Sequence, residues 1–187
     1  MVPGSGCFRT YLSVSYMEKN DLNPLHVRGA LPIILLRWGE NMATVSECDI
    51  PEDRYYWVDK HVWARQLASG EVEVGITDPA QALAGKMLVC RIKRVGRELK
   101  RGASAATLES GKWVGGVPTP VAGTLSAINT DAEQDPERLN RDPYGTWLFK
   151  IQSSNVQDDL NLLSLGSQAV ALYQQKLLAE GIQCHHS

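Results

Sequence analysis

At 187 residues, with 43 % hydrophobic and 21 % charged side chains, the chain has the composition of one folded domain with extensions, not of a disordered segment. A formal net charge of −2 supplies no basic field for nucleic acid and no polybasic patch for a membrane surface. No apolar run is long enough to span a bilayer: Leu31-Pro32-Ile33-Ile34-Leu35-Leu36 is short, is broken by Pro32, is followed by Arg37 and has no small-residue cleavage site after it.

Residues 1 to 41 mix Gly, Ser and Pro with isolated apolar patches and show no sustained period. They are expected to lie outside the core, and Met42 stands where a natural initiator would. From Arg54 the residues suit a hairpin. Tyr55-Tyr56-Trp57-Val58 and His61-Val62-Trp63-Ala64-Arg65 are aromatic and β-branched, Ala68-Ser69-Gly70-Glu71 is a turn signal, and Val72, Val74 and Ile76 alternate with Glu73 and Gly75 as in a half-buried strand. Thr77-Asp78-Pro79 starts a short helix, because a Thr or Asp oxygen accepts from free amides and proline loses no needed donor in the first turn. Gly85 stops it.

Met87 to Ile92 and Ala103 to Leu108 read as strands. From the end of the first strand onward lie Arg91, Lys93, Arg94, Arg97, Lys100 and Arg101, interrupted by Ile92, Val95 and Leu99. We read these cations as a solvated strand face and turn, not as a phosphate stripe. Pro118 and Pro120 forbid a central strand, so the segment through Gly123 to Asn129 begins at an edge or bend. Asp135-Pro136-Glu137-Arg138-Leu139-Asn140 reads as a capped short helix, Asp142-Pro143-Tyr144-Gly145 as a turn, and Trp147 to Ile151 as a strand. Residues 156 to 180 read as one helix with Leu160, Leu163, Val170 and Leu177 on one face, weakened at Gly166 and ended by Gly181. Short strands around a turn-rich middle imply a mainly β fold, a barrel or a sandwich.

The four cysteines, Cys7, Cys48, Cys90 and Cys184, stand far apart in sequence, so neither a zinc knuckle nor a dithiol motif is present. Cys90 is expected to be a buried reduced thiol. Cys48 and Cys184 sit near segment ends, where a thiol can be exposed, and the pattern fits a reducing cytoplasm. His185 and His186 close a solvated tail, and no metal site is read there.

At the centre of the patterned region stands Glu109-Ser110-Gly111-Lys112-Trp113, with Gly115-Gly116 beyond it. A lysine at such a bend is offered to something outside the domain. Around it the residues resemble the lipoyl-carrying H protein of the glycine cleavage system. Val74-Gly75-Ile76-Thr77-Asp78-Pro79-Ala80-Gln81 is similar to that family's Val-Gly-Ile-Thr-Asp-x-Ala-Gln. His61-Val62-Trp63 resembles its His-Glu-Trp, and Pro120-Val121-Ala122-Gly123 its Pro-Val-x-Gly. Asn140-Arg141-Asp142-Pro143-Tyr144-Gly145 with Trp147-Leu148 resembles its Asn-x-Asp-Pro-Tyr-Gly and Trp-Leu. Glu109-Ser110-Gly111-Lys112 resembles its Glu-Ser-x-Lys attachment motif.

The resemblance implies a barrel-sandwich hybrid with short helices and a C-terminal helix, and lipoic acid in amide linkage to Lys112. That linkage removes the lysine charge and adds a long arm. It implies a substrate carrier, not an enzyme, and a lipoate–protein ligase as partner. The chain is read as three regions: residues 1–47 as an extension, disordered or a start-site artefact; 48–152 as the carrier domain; and 153–187 as a helix packed on the domain, with its tail.

Trp113 after the lysine, Lys93-Arg94 in place of an acidic residue, and the Cys48-Asp49-Ile50-Pro51-Glu52-Asp53 opening depart from aminomethyl carriers. They resemble the lipoate-binding proteins of sulfur-oxidising prokaryotes, which work in the cytoplasm with a heterodisulfide-reductase-like complex. The alternative is the glycine-cleavage carrier, with glycine decarboxylase, aminomethyltransferase and dihydrolipoyl dehydrogenase as partners. A third reading, of a different class, is an unmodified scaffold or regulator.

Overall fold

The computed structural model describes residues 42–185, so the expectations for residues 1–41 and for His186 fall outside the described residues. The described chain runs through strands β1 (Met42–Val45), β2 (Cys48–Pro51), β3 (Tyr55–Trp57), β4 (Val62–Gln66) and β5 (Val72–Ile76), helix α1 (Asp78–Ala84), and β6 (Met87–Ile92). It continues with β7 (Glu98–Leu99), β8 (Ser104–Ser110), β9 (Val114–Pro118), β10 (Gly123–Ile128), α2 (Thr130–Gln134), α3 (Arg138–Arg141) and β11 (Phe149–Gln152). Helix α4 (Val156–Leu160), β12 (Ser164–Leu165) and α5 (Gly166–Glu180) complete it.

A seven-stranded sheet of order β12-β3-β4-β5-β11-β10-β7 packs with a three-stranded sheet of order β6-β8-β9, and β1-β2 forms a separate hairpin. This is the expected mainly β barrel-sandwich hybrid. The apolar face of the large sheet, including Val62, Val74 and Ile151, meets Ala106, Leu108 and Val117 of the small sheet in one buried cluster. Pro118 ends β9, which is an edge strand as its proline requires.

Several expectations need correction. β5 is buried along its whole length, not on alternate residues. The Trp63 ring, directly across the ladder, covers Gly75 so closely that a Cβ there would overlap it. Glu73 is neutralised by Arg65 at 2.6 Å and Lys150 at 3.3 Å. The helix expected at Asp135–Asn140 with Asp135 as its cap is the shorter α3, which starts at Arg138 after an N-cap Glu137 that makes no side-chain capping bond, while Asp135 instead ends α2, a helix over Thr130–Gln134 where none is expected.

The single helix expected over 156–180 is broken. Gly166 takes φ +57°, a left-handed geometry that side chains disfavour, and Ser164-Leu165 leave the helix to pair with Tyr55-Tyr56. The break lets two leucine sets face different partners. Leu160 and Leu163 join the inter-sheet core, whereas Val170 and Leu177 join a second cluster with Tyr56, Trp63 and Tyr173.

That second cluster also holds β1, β2 and the end of the chain. Residues 42–47, placed with the extension on sequence, form β1 and its turn to β2, and Ala43 and Val45 are buried. Cys48 and Cys184 are both fully buried and joined as a disulfide across a sequence separation of 136. Exposed, separate thiols at these positions are therefore ruled out: β2 and the segment after α5 converge on one core. Cys90 is buried and free as expected, and burial pushes its thiol pKa up to about 12. It is no nucleophile in this setting.

Candidate functional site

Lys112 lies in the three-residue turn Gly111-Lys112-Trp113 between β8 and β9, and it is exposed. The Ser110 hydroxyl builds this turn. It donates to the Ala84 carbonyl at 2.7 Å and accepts from the Lys112 and Trp113 amides at 3.3 and 3.1 Å. One donor and two lone pairs are thus all used, which a serine supplies and an alanine cannot. The Ser110 amide donates to the Trp113 carbonyl at 2.8 Å and closes the loop. Glu109 is half-buried opposite Val114, and Gly111 is exposed at the tip. The four residues singled out on sequence therefore stand together. Among the described residues neither Glu109 nor Lys112 has an ion pair or a side-chain hydrogen bond. The amine is free for acylation.

The motifs remote from Lys112 build its mount. Thr77 caps α1, accepting from the Ala80 amide at 3.4 Å, and Gly85 ends it with φ +76°. The Lys112 stem lies across that end: a Cβ on Gly85 would sit 3.2 Å from Lys112 Cε. Asn140 holds the same end, donating to the Gly85 carbonyl at 2.9 Å and to Gln81 Oε1 at 3.1 Å while accepting from the Met87 amide at 2.8 Å. Gln81 in turn donates to Asp78 Oδ1 at 2.6 Å, and Asp78 Oδ2 accepts from the Asp49 amide at 2.8 Å. The Tyr144 hydroxyl donates to the Asp49 carbonyl at 2.6 Å. A continuous network thus links β2, α1, α3 and the Asp142–Gly145 turn to the backbone beneath the lysine.

Beside the turn opens a cavity of about 370 Å³. Its wall includes Val62, Ile76, Leu83, Met87, Leu108 and Val117, with Trp113 on the turn side. The Trp113 ring covers Gly115, where a Cβ would overlap it, and keeps 42 % of its surface exposed. Sequence reading did not find this cavity, because its walls come from several elements. Lys60 is its charged lining residue, and His61 lines it too. Burial, then the nearby Lys176 charge, lowers the His61 pKa from its ordinary 6.5 to about 4, so the ring is neutral at pH 7.

A metal reading of Cys48, Asp78 and Cys184, whose candidate ligand atoms lie within 4.8 Å of one another, does not fit this geometry. A metal takes thiolates, whereas these sulfurs are bonded to each other, and both Asp78 oxygens accept hydrogen bonds.

A free amine on a pinned hairpin, over a small sandwich and beside an apolar cavity, defines a prosthetic-group carrier domain. The chain belongs to the glycine cleavage H-protein family, whose profile, described as Glycine cleavage H-protein, matches residues 54–176. It is 43 % identical over 146 residues to the probable glycine cleavage system H protein 2 of Sulfurisphaera tokodaii, covering 76 % of this chain and 98 % of that protein. It is 39 % identical over 146 residues to the glycine cleavage system H protein 2 of Aquifex aeolicus, covering 78 % and 91 %. The crystal structure of a glycine cleavage system H protein from Mycobacterium marinum matches with a TM-score of 0.58 at 32 % identity, covering 66 % of this chain and 98 % of that one. Proteins of this family carry lipoic acid covalently on a lysine and act as carriers, not catalysts. This chain is a lipoyl carrier of that type.

Proposed function

We propose that Lys112 is the lipoylated residue, with Glu109, Ser110 and Gly111 as its attachment motif, and that the carrier serves cytoplasmic sulfur oxidation with a heterodisulfide-reductase-like complex. When bound, the lipoyl group supplies a dithiolane that exchanges between disulfide and dithiol and holds cargo on sulfur. Ser110 fixes the turn so that a lipoate–protein ligase meets one exposed amine. The apolar wall from Val62 to Val117 offers an uncharged chain a surface out of water.

The observation that carries the pathway reading is the charge of that wall. None of the described residues lining the cavity is acidic, and Lys60 is its charged member. Val62 lines it at the position where the resemblance in His61-Val62-Trp63 has Glu. A primary-amine cargo is a cation at neutral pH and calls for a carboxylate, whereas neutral or anionic sulfur cargo does not. Aquifex aeolicus has related H proteins numbered 2, 3 and 5, so members of this family stand beside one another in one organism, with room for different cargo. The cytoplasmic reading accommodates the disulfide, because two fully buried sulfurs are shielded from the thiol pool.

The names of these relatives favour the second reading, an aminomethyl carrier working with glycine decarboxylase, aminomethyltransferase and dihydrolipoyl dehydrogenase. Peptide mass spectrometry of native protein tests the shared part. Lipoyl mass is expected on Lys112 and none on Lys112→Arg, which should fold normally. An unmodified Lys112 in native protein ends both carrier readings and leaves the scaffold reading. Incubation of holo protein with glycine and purified glycine decarboxylase separates the two. No loading is expected, and efficient loading overturns the sulfur assignment.

A further inference from the structure

The surface carries a second feature that the attachment site does not use. Residues 91–101 hold six cations against Glu98, a local charge of +5 in a chain of net charge −2, so the remainder carries −7. Elsewhere many surface cations are paired: Lys86 with Glu137, Arg138 with Asp131, Arg141 with Asp135 and Lys176 with Glu180. Arg101 is engaged as well, stacked over Trp57 at 4.3 Å and donating to the Pro120 carbonyl at 3.1 Å. The other five, Arg91, Lys93, Arg94, Arg97 and Lys100, have neither an ion pair nor a side-chain hydrogen bond among the described residues. Val95 stands exposed among them at 53 %, and Leu88, exposed at 54 %, lies toward the turn end of β6. The backbone beneath is fixed, because Lys93 N donates to Ala105 O, Gly96 N to Leu125 O, and Leu125 N to Arg97 O, all within 2.9 Å. Unpaired arginines with exposed aliphatic neighbours on a rigid backbone make a docking surface, not a frayed loop.

The register places this surface relative to Lys112. β6 runs beside β8, with Met87 opposite Ser110 at the turn end and Ile92 opposite Ala106 at the other end. At roughly 3.3 Å per residue the cations after Ile92 begin about 15–20 Å from the turn. A ligase must close on the lysine amine itself. An enzyme that works at the end of the arm meets it a lysine stem and an eight-carbon chain away. The spacing therefore selects the second kind of partner.

We propose that the surface formed by Arg91, Lys93, Arg94, Arg97 and Lys100 docks an acidic face of the redox enzyme that reacts with the arm's sulfurs. This rests on the carrier reading. Charge complementarity across such a contact governs encounter and specificity, and salt screens it.

The test uses lipoylated full-length protein and the purified heterodisulfide-reductase-like complex from the same organism, with free lipoamide as the substrate that has no surface. Wild-type KM should rise with salt. The double reversal Arg94→Glu with Arg97→Glu should raise KM for the holo protein at least tenfold at low salt and leave kcat unchanged, while lipoamide turnover shows no salt dependence of this kind. Zero-length carbodiimide cross-linking should join Lys93 or Lys100 to the enzyme's carboxylates. A KM within twofold of wild type, with no such cross-link, overturns the proposal, as does tight, salt-sensitive binding of a single-stranded oligonucleotide, which would make the surface a nucleic-acid site. Failure of the carrier reading is seen separately, as wild-type protein with no lipoyl mass on Lys112.

Discussion

Two ends of this domain solve opposite problems with the same materials. At the Lys112 end a hairpin projects, its lysine unpaired, its tryptophan partly in water and an apolar cavity beside it. At the other end α5, β1–β2 and the chain terminus close on one another, and Cys48, Ile50, Tyr173, Leu177 and Cys184 are lost to solvent. Trp63 and Trp113 show the contrast in one residue type. Each lies over a glycine of a strand, but Trp63 is fully buried and donates to the Pro143 carbonyl at 3.0 Å, whereas Trp113 faces the cavity and solvent. The closed end sets stability and the open end sets chemistry. The Asp78–Gln81–Asn140 network is the mechanical link between them.

The sharpest way to break this division is at the disulfide. Cys48→Ala with Cys184→Ala removes a constraint on a very long loop and should cost about 3–5 kcal/mol, lowering Tm by roughly 10 °C. Lipoylation of Lys112 at a temperature where both proteins are folded should be unchanged. A large loss of lipoylation without loss of fold would mean that the two ends are not separable.

At the open end, Ser110→Ala is the counterpart. It leaves the Ala84 carbonyl and two turn amides without their protein partner, at a cost of about 1–2 kcal/mol because water reaches the turn. The Tm change should therefore be a few degrees, yet ligase-catalysed lipoylation should fall several-fold, because the amine is no longer presented in one geometry. Equal losses in both readouts would remove the special standing of Ser110.

What the sequence showed follows the same division. The turn, the α1 cap at Thr77, the Asp142–Gly145 turn and the strand at Met87–Ile92 were legible because each is fixed by chemistry within a few residues. The helix break was only half legible. Gly166 announced weakness worth about 1 kcal/mol, but not a left-handed residue that sends Ser164-Leu165 to pair with β3. The β1–β2 hairpin hid because its turn residues, Ser46 and Glu47, reach φ 50° and 63° without the Asn-Gly signal such turns usually give. The Cys48–Cys184 bond could not be read at all, since it depends on where two distant segments meet. The cavity beside Lys112 was hidden for the same reason. Thr77, Gln81 and Asn140 were matched as a motif, and only the structure gives the reason: they hold the backbone on which the lysine rests.

The smallest effect lies at His61, where the two ends touch. Its backbone is left-handed at φ 52°, its ring packs 5.9 Å from that of Tyr173, and it also lines the cavity. Burial is the main cause of its lowered pKa. Lys176 lowers it further, and Glu180 and Asp59 oppose the shift. As pH falls through about 6.5 the unfolded chain takes up a proton, while the folded ring stays neutral until about pH 4. The unfolded state therefore binds more protons across this window, and stability falls as the pH falls. With part of the ring in solvent, the loss should total about 1–2 kcal/mol. His61→Asn tolerates the left-handed backbone and does not titrate. Thermal melts at pH 7.5, 6.5, 5.5 and 4.5 should show a steeper decline for wild type than for His61→Asn. Parallel declines would place the acid sensitivity elsewhere and leave His61 as a packing residue alone.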